Sequence, residues 1–237
     1  MRLLLANPNS TEAITEACLG LARVAASPGT EVIGWTNREG PPVVDSLYGD
    51  YLAGRPLARS LAAVAPTPDA VVLAGFGNYG TGAVKEVLAI PVVGMAEAAM
   101  AVAVPLCHRF AIVTTSPRMI PYTEDLVQLA GFAPRCATVR AVVLPAVDAP
   151  RPTDAWVVDQ LTAAVGRIHE ETGADLVILG GSRLSPYAAA VRGRTPLPIV
   201  EPVACAVQLT EALVRLGLRQ SKAGKFAFPP KPREFYG

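Results

Sequence analysis

DAVVLAG at residues 69–75 recurs as DLVILGG at residues 175–181, and these two copies decide the fold. Each is an aspartate, an unbroken apolar run and a glycine-bearing end. A run that is apolar throughout, rather than alternating, suits a central parallel strand covered by helices on both faces. The sequence after each copy also matches. IPVVGMAEAAMAVA from Ile90 and LPIVEPVACAVQLTEA from Leu197 both read as a Pro-led strand entering an Ala-rich helix. Upstream, RLLLANPNS at 2–10 answers RFAIVTTSPR at 109–118. Asn7 and Gly75 stand 68 positions apart, and Thr115 and Gly181 stand 66 apart. Three elements in one order and one spacing form an internal repeat.

Outward from the repeat, short apolar runs alternate with amphipathic stretches, the pattern of α/β proteins with parallel sheets. Strands are expected at Arg2–Ala6, Glu31–Trp35, Ala70–Ala74, Val92–Gly94, Phe110–Thr114, Thr138–Val143, Leu176–Leu179 and Ile199–Val200. The clearest helical stretches are Thr11–Ala25, Leu57–Val64, Thr153–Glu171 and Ala204–Leu216. The repeat predicts two α/β halves related by a pseudo-two-fold axis. Residues 1–96 with 203–237 would form the first half, and residues 97–202 the second. Ligands of open parallel sheets bind beyond the carboxyl ends of the strands. Four loops, Ala6–Thr11, Gly75–Thr81, Thr114–Arg118 and Gly180–Ser185, should therefore meet in one cleft. The Pro-bearing tail from Ser221 to Gly237 should be non-helical and lie across the surface as an extended arm.

Composition narrows the ligand. Hydrophobic residues are 51% of the chain, charged residues 17%, and the net charge is +1. Scattered Lys and Arg give no electrostatic footprint for nucleic acid, and no apolar run is long enough to span a membrane. Cys18, Cys107, Cys136 and Cys205 form no CxxC pair, which fits free thiols in a reducing cytoplasm. No His/Cys/Asp cluster has metal-ligand spacing. A small uncharged or singly charged metabolite is the expected partner.

NPNST at 7–11 ends a strand and opens a helix. Ser10 or Thr11 can cap that helix, Asn7 and Asn9 can brace the turn, and the helix start suits a carboxylate or polarised carbonyl. TTSPR at 114–118 is its counterpart, with the Thr114 and Thr115 hydroxyls at the strand end. GFGNYGTG at 75–82 lacks the spacing of a dinucleotide fingerprint but offers Asn78, Tyr79 and Thr81 beside glycines that allow close backbone approach. GGSRLS at 180–185 offers Ser182, Arg183 and Ser185, without the G-x-S-x-G elbow of a hydrolase. Glu97 and Glu201 follow the Pro-led strands and either line the cleft or begin the next helices.

NPNST, PPVVDSLYGDY (41–51), DAVVLAGFGNYG (69–80), PVVGMAEAA (91–99), RFAIVTTSPR, DLVILGG and SKAGKFAFPP (221–230) together resemble the hydantoin and allantoin racemases of the aspartate/glutamate racemase superfamily. The resemblance runs along nearly the whole chain. It implies two Rossmann-like halves, a homo-oligomer, and a mechanism without cofactor. In that mechanism one cysteine thiolate takes a proton from the stereocentre and a second thiol returns one on the opposite face.

Both cysteine positions implied by the resemblance are glycine here, Gly75 and Gly181. Glycine has nothing to titrate, so the two-thiol mechanism cannot operate. Proton transfer would pass to Tyr79, Glu97, Ser182 or a bound water. Asn7, Ser10, Thr114 and Thr115 would hold carbonyl or carboxylate oxygens, and Ser46, Gly75, Phe76, Asn78, Gly181 and Arg183 would complete the binding surface. The cavities left by two missing thiols would admit a larger substrate. The expected activity is isomerase, epimerase, lyase or cyclase chemistry on a small cyclic imide, ureide or carboxylate through an enolate-like intermediate. The alternative is a non-catalytic protein that binds a small metabolite in the same cleft. A hydantoin racemase with an unchanged reaction is a third reading.

Overall fold

Eight strands form two four-stranded parallel sheets in the computed structural model, which describes residues 1–145 and 152–230. The first runs β1 (Arg2–Asn7), α1 (Glu12–Ala25), β2 (Glu31–Thr36), α2 (Leu47–Ala62), β3 (Ala70–Leu73), α3 (Thr81–Val87), β4 (Val92–Gly94) and α4 (Met95–Ala103). The second runs β5 (Phe110–Thr114), α5 (Met119–Leu129), β6 (Cys136–Ala141), α6 (Asp154–Thr172), β7 (Leu176–Leu179), α7 (Ala188–Arg192), β8 (Ile199–Val200) and α8 (Pro202–Arg215). The sheet orders, β2-β1-β3-β4 and β6-β5-β7-β8, trace one path twice. All eight expected strands are present, with ends displaced by no more than two residues.

The central strands β3, β5 and β7 are buried along their whole length, as their unbroken apolar runs require. Helices α4 and α8 pack on each other between the sheets. Met95 and Ala98 of α4 join the core of the first sheet, whereas Ala99, Met100 and Ala103 join Phe110, Ile112 and Ile178 in the second. Val203, Ala206 and Val207 of α8, which follows the second sheet, pack on Leu3, Leu5 and Val72 of the first. Burying a Val, Leu or Met side chain contributes about 1.5–3 kcal/mol, so these crossed helices hold the halves together and fix the gap between their loops.

One helix differs from the expected one. The pattern expected over Leu57–Val64 belongs to α2, which begins ten residues earlier at Leu47. Ser46 caps it by accepting a hydrogen bond from the Gly49 N–H at 3.1 Å. The described part of the tail, to Pro230, is non-helical. Lys222 Nζ donates to the Lys85 and Glu86 carbonyls at 2.6 and 2.9 Å, closing the end of α3. Gln220 donates to the Val92 carbonyl at 2.7 Å and accepts from its N–H at 3.1 Å. The rest of the expected arm lies outside the described residues. Among the described residues, no helix is long and apolar enough to cross a membrane.

Candidate active site

Each loop past the strand ends is held by its own sequence. In NPNST the brace is made by amides. Asn7 Nδ2 donates to Asn9 Oδ1 at 3.0 Å and Thr15 Oγ1 at 3.0 Å, and Asn7 Oδ1 accepts from the Asn9 N–H at 3.1 Å. Thr11 occupies the cap position of α1, but its hydroxyl donates to the Pro42 carbonyl at 2.7 Å. That bond ties the NPNST loop to the 41–46 segment. On the second half, Arg183 donates to the Pro145 carbonyl at 2.7 Å.

The Gly75–Gly80 loop carries the least expected geometry. Tyr79 is the one described non-glycine residue with a positive φ, +29°, a left-handed conformation that bulky residues rarely adopt. It turns the ring back over its own loop. A Cβ placed on Gly75 would stand 2.5 Å from Tyr79 Cδ2, 2.6 Å from Cε2 and 2.9 Å from Pro8 Cγ. A Cβ on Gly77 would overlap the same ring. The ring stacks on Tyr122 of α5, with centroids 6.2 Å apart and planes 15° off parallel. The Tyr122 hydroxyl donates to Asp50 Oδ2 at 2.8 Å and accepts from the Asn78 N–H at 2.9 Å. Burial, reinforced by Tyr122, Asp50 and Asp45, holds the Tyr79 phenol well above its ordinary pKa. It is neutral at pH 7, and its hydroxyl turns to the Val44 carbonyl at 3.4 Å.

The matching loop is open where the first is closed. Among the described residues, the sole heavy atom within 4 Å of a Cβ placed on Gly181, its chain neighbours aside, is Thr115 Cγ2 at 3.6 Å. The adjacent Gly180 is needed for packing, since a Cβ there would meet Ile112 Cγ2 at 2.6 Å and the Phe76 ring at 3.0 Å. Phe76 thus reaches from the first half into the core of the second.

The four loops meet around a cleft of about 260 Å³. Gly75, Phe76, Tyr79, Thr114, Thr115, Gly181, Ser182 and Arg183 line it, so eight of the thirteen candidate residues come together. Asn9, Asp45, Ser116, Met119 and Leu144 line it as well, none of them a binding residue that the sequence points to. Asp45 is the one carboxylate and Arg183 the one cation among the described lining residues. A second chamber of about 200 Å³ shares Ile14, Leu144, Ser182 and Arg183 with the cleft and adds the apolar walls of Val157, Pro186 and Tyr187. A larger open depression of about 580 Å³ lies along β2, and none of the glycine-bearing loops reaches it.

Five candidates do not line the cleft, for identifiable reasons. Asn7 is fully buried with its amide spent on the turn. Ser10 gives its N–H to the Pro41 carbonyl at 3.0 Å, and Ser46 caps α2. Asn78 is exposed and meets Tyr122 through its backbone. The Glu97 carboxylate pairs with Lys85 Nζ at 2.7 Å and accepts from the Gly94 N–H at 2.8 Å. Glu201 likewise begins a helix, accepting from the Val203 and Ala204 N–H groups at 2.7 Å. The expected pair of cavities becomes one: Tyr79 fills the space beside Gly75, and among the described residues only the Gly181 side is open.

No cysteine lines the cleft among the described residues. Burial pushes the Cys18 thiol up to about 12 and those of Cys136 and Cys205 up to about 11. Burial also raises Cys107. None is a thiolate at neutral pH. The described residues hold no group of three His, Cys, Asp or Glu side chains able to bind a metal.

Relatives share this architecture. Residues 3–210 match the family described as Asp/Glu/Hydantoin racemase. A hydantoin racemase of Paenarthrobacter aurescens is 32% identical over 231 residues, covering 97% of this chain and 98% of its own. An allantoin racemase of Pseudomonas fluorescens superposes with a TM-score of 0.91 at 34% identity, over 100% of both chains. Arylmalonate decarboxylase shares the fold alone, with a TM-score of 0.60 at 18% identity over 90% of this chain and 92% of its own. Two parallel sheets on one repeated path, joined by a cleft at matching loops, and this likeness along the whole chain agree: the protein belongs to the Asp/Glu/hydantoin racemase family.

Proposed function

We propose that this protein is a cofactor-independent cytoplasmic enzyme, working as a homo-oligomer, that acts on a small cyclic imide or ureide through an enolate-like intermediate. The observation that carries this reading is the lining of the cleft. Among the described residues it pairs hydroxyl donors (Thr114, Thr115, Ser116 and Ser182) and the Arg183 cation with one carboxylate, Asp45. A ring bearing both carbonyls and N–H groups matches that set, because its oxygens take the donors and its N–H meets Asp45. A dianion would face repulsion from Asp45 instead.

Pulling a proton from the carbon beside a ring carbonyl moves its electron pair onto the carbonyl oxygen. Donors placed at that oxygen stabilise the charge, and removing one such donor costs about 2.7–4 kcal/mol in the transition state. The proton passes to a water held by Ser182, the hydroxyl nearest the open glycine in sequence. Tyr79 contributes a wall and Glu97 contributes packing. The chamber beside Ser182, where Val157, Pro186 and Tyr187 stand with Asp154 and Arg183, offers room for a substituent on the ring. Relatives named as hydantoin and allantoin racemases act on rings of this kind, and a decarboxylase on the same fold argues that the scaffold is not tied to one reaction.

The test is incubation with 5-benzylhydantoin and allantoin in D₂O at pH 7, followed by NMR against an enzyme-free control. Deuterium at the ring carbon, reduced on Ser182→Ala or Thr115→Val, supports the proposal. The absence of a cleft thiolate favours one competing reading, a non-catalytic binding protein. Saturable binding of the same rings, with a raised Tm and deuterium no faster than the control, would establish it.

A further inference from the structure

The two matching glycines are not equivalent. Gly75 and Gly181 lie two residues past the corresponding strands β3 and β7 of two halves related by the pseudo-two-fold axis, and both line one cleft. They therefore face a bound ring from opposite sides. On the Gly181 side, among the described residues, a side chain would have ordinary van der Waals room, 3.6 Å from Thr115 Cγ2, and the Ser182 hydroxyl is the next residue's. On the Gly75 side the space is filled by Cδ2 and Cε2 of the Tyr79 ring. Those are carbon atoms with no exchangeable proton, while the phenol points to the Val44 carbonyl. Tyr79 is fixed there by its left-handed backbone, the Tyr122 stack and the Tyr122–Asp50 hydrogen bond.

We infer that Tyr79 is a specificity-determining plug that closes the Gly75 face of the cleft, so that a bound ring exchanges its carbon-bound proton from the Gly181–Ser182 face alone, without inversion. The inference rests on the proposed reaction and adds its stereochemistry. The proton leaves to water on the open face, its electron pair moves to the ring carbonyl oxygen, and the same water chain returns a proton to that face. At the Gly75 position itself the atoms are Tyr79 ring carbons and Pro8 Cγ, which have no proton to deliver to the other side of the planar intermediate.

Two measurements test the plug. The first uses single enantiomers of 5-benzylhydantoin with the wild-type protein in D₂O, comparing deuterium incorporation with loss of optical purity. Incorporation faster than racemisation by about tenfold or more, equivalent to about 1.4 kcal/mol in barrier, is expected. Equal rates overturn the plug while leaving the proposed enzyme standing. No incorporation above the control overturns the proposed reaction, and the second measurement then judges the plug alone.

That second measurement installs thiols and needs no wild-type turnover. Cys at 181 (Gly181→Cys) should react with a water-soluble disulfide reagent in the native state. Cys at 75 (Gly75→Cys) should react at least about tenfold more slowly until Tyr79→Gly is added, glycine being the residue that accepts the positive φ. Gly75→Cys/Gly181→Cys should not racemise 5-benzylhydantoin, whereas Gly75→Cys/Gly181→Cys/Tyr79→Gly should. Prompt reaction of Cys at 75 beneath an intact Tyr79, or equal racemisation by the double and triple variants, overturns the inference. So does a triple variant that folds, binds the ring and stays inert.

Discussion

At the scale of the residue, one aromatic ring decides what the first strand-end loop can do. A Cβ at position 75 would stand 2.5 Å from the Tyr79 ring, so the ring must shift to admit one, while its left-handed backbone and the Tyr122 stack keep it over the position. Overpacking of this kind costs about 1–3 kcal/mol, so Gly75→Cys should lower Tm visibly in calorimetry. Gly181→Cys, with its nearest neighbour at 3.6 Å, should leave Tm nearly unchanged. The glycine at position 75 and the Tyr79 ring over it are thus one coupled feature. Sequence supplied the glycines and the polar candidates but not this coupling. Tyr79 reads in sequence as a hydroxyl for chemistry, whereas its backbone at φ +29° makes it a ring for packing. Glu97 reads as a cleft carboxylate until Lys85, 12 positions earlier, is folded against it. Asp45 lines the cleft while its neighbour Ser46 caps α2, and nothing in a loop's sequence says which of two neighbours turns inward.

At the scale of the element, legibility follows burial. The eight strands were readable because parallel strands covered on both faces must be apolar throughout. The start of α2 was not, because Leu47, Tyr48 and Tyr51 are exposed and Gly49, Gly54 and Pro56 break the usual helical signature. The placement of α8 against the first sheet also has a polar anchor. Glu211 is fully buried and accepts from the Ser27 N–H at 2.9 Å, from the Ser27 hydroxyl, and from Arg215 at 3.3 Å. Burial alone would raise its pKa, but these hydrogen bonds outweigh it and hold the carboxyl below its ordinary 4.5. A depressed carboxyl stabilises the fold fully above its unfolded value and loses that contribution as pH falls through the lower folded value. Glu211→Gln should therefore cost about 1.5–3 kcal/mol at neutral pH. Its urea stability should also change less than that of wild type on acidification from pH 5 downward. Parallel pH profiles for the two proteins would show that Glu211 does not anchor α8.

At the scale of the whole molecule, duplication places two equivalent loops across one cleft, and the crossed packing of α4 and α8 keeps them there. What the family resemblance could not supply was the asymmetry: one matching position filled by Tyr79, the other open at Gly181. The central claim is that this cleft works on a small ring from its open side. The most direct measurement is deuterium incorporation into 5-benzylhydantoin at pH 7 by the wild-type protein and by Gly181→Phe, whose ring would occupy the open side. Incorporation above the enzyme-free rate in wild type, lost in Gly181→Phe while a distant Cys107→Ser control retains it, is the predicted result. Incorporation that Gly181→Phe leaves untouched, or none in wild type, would contradict the account.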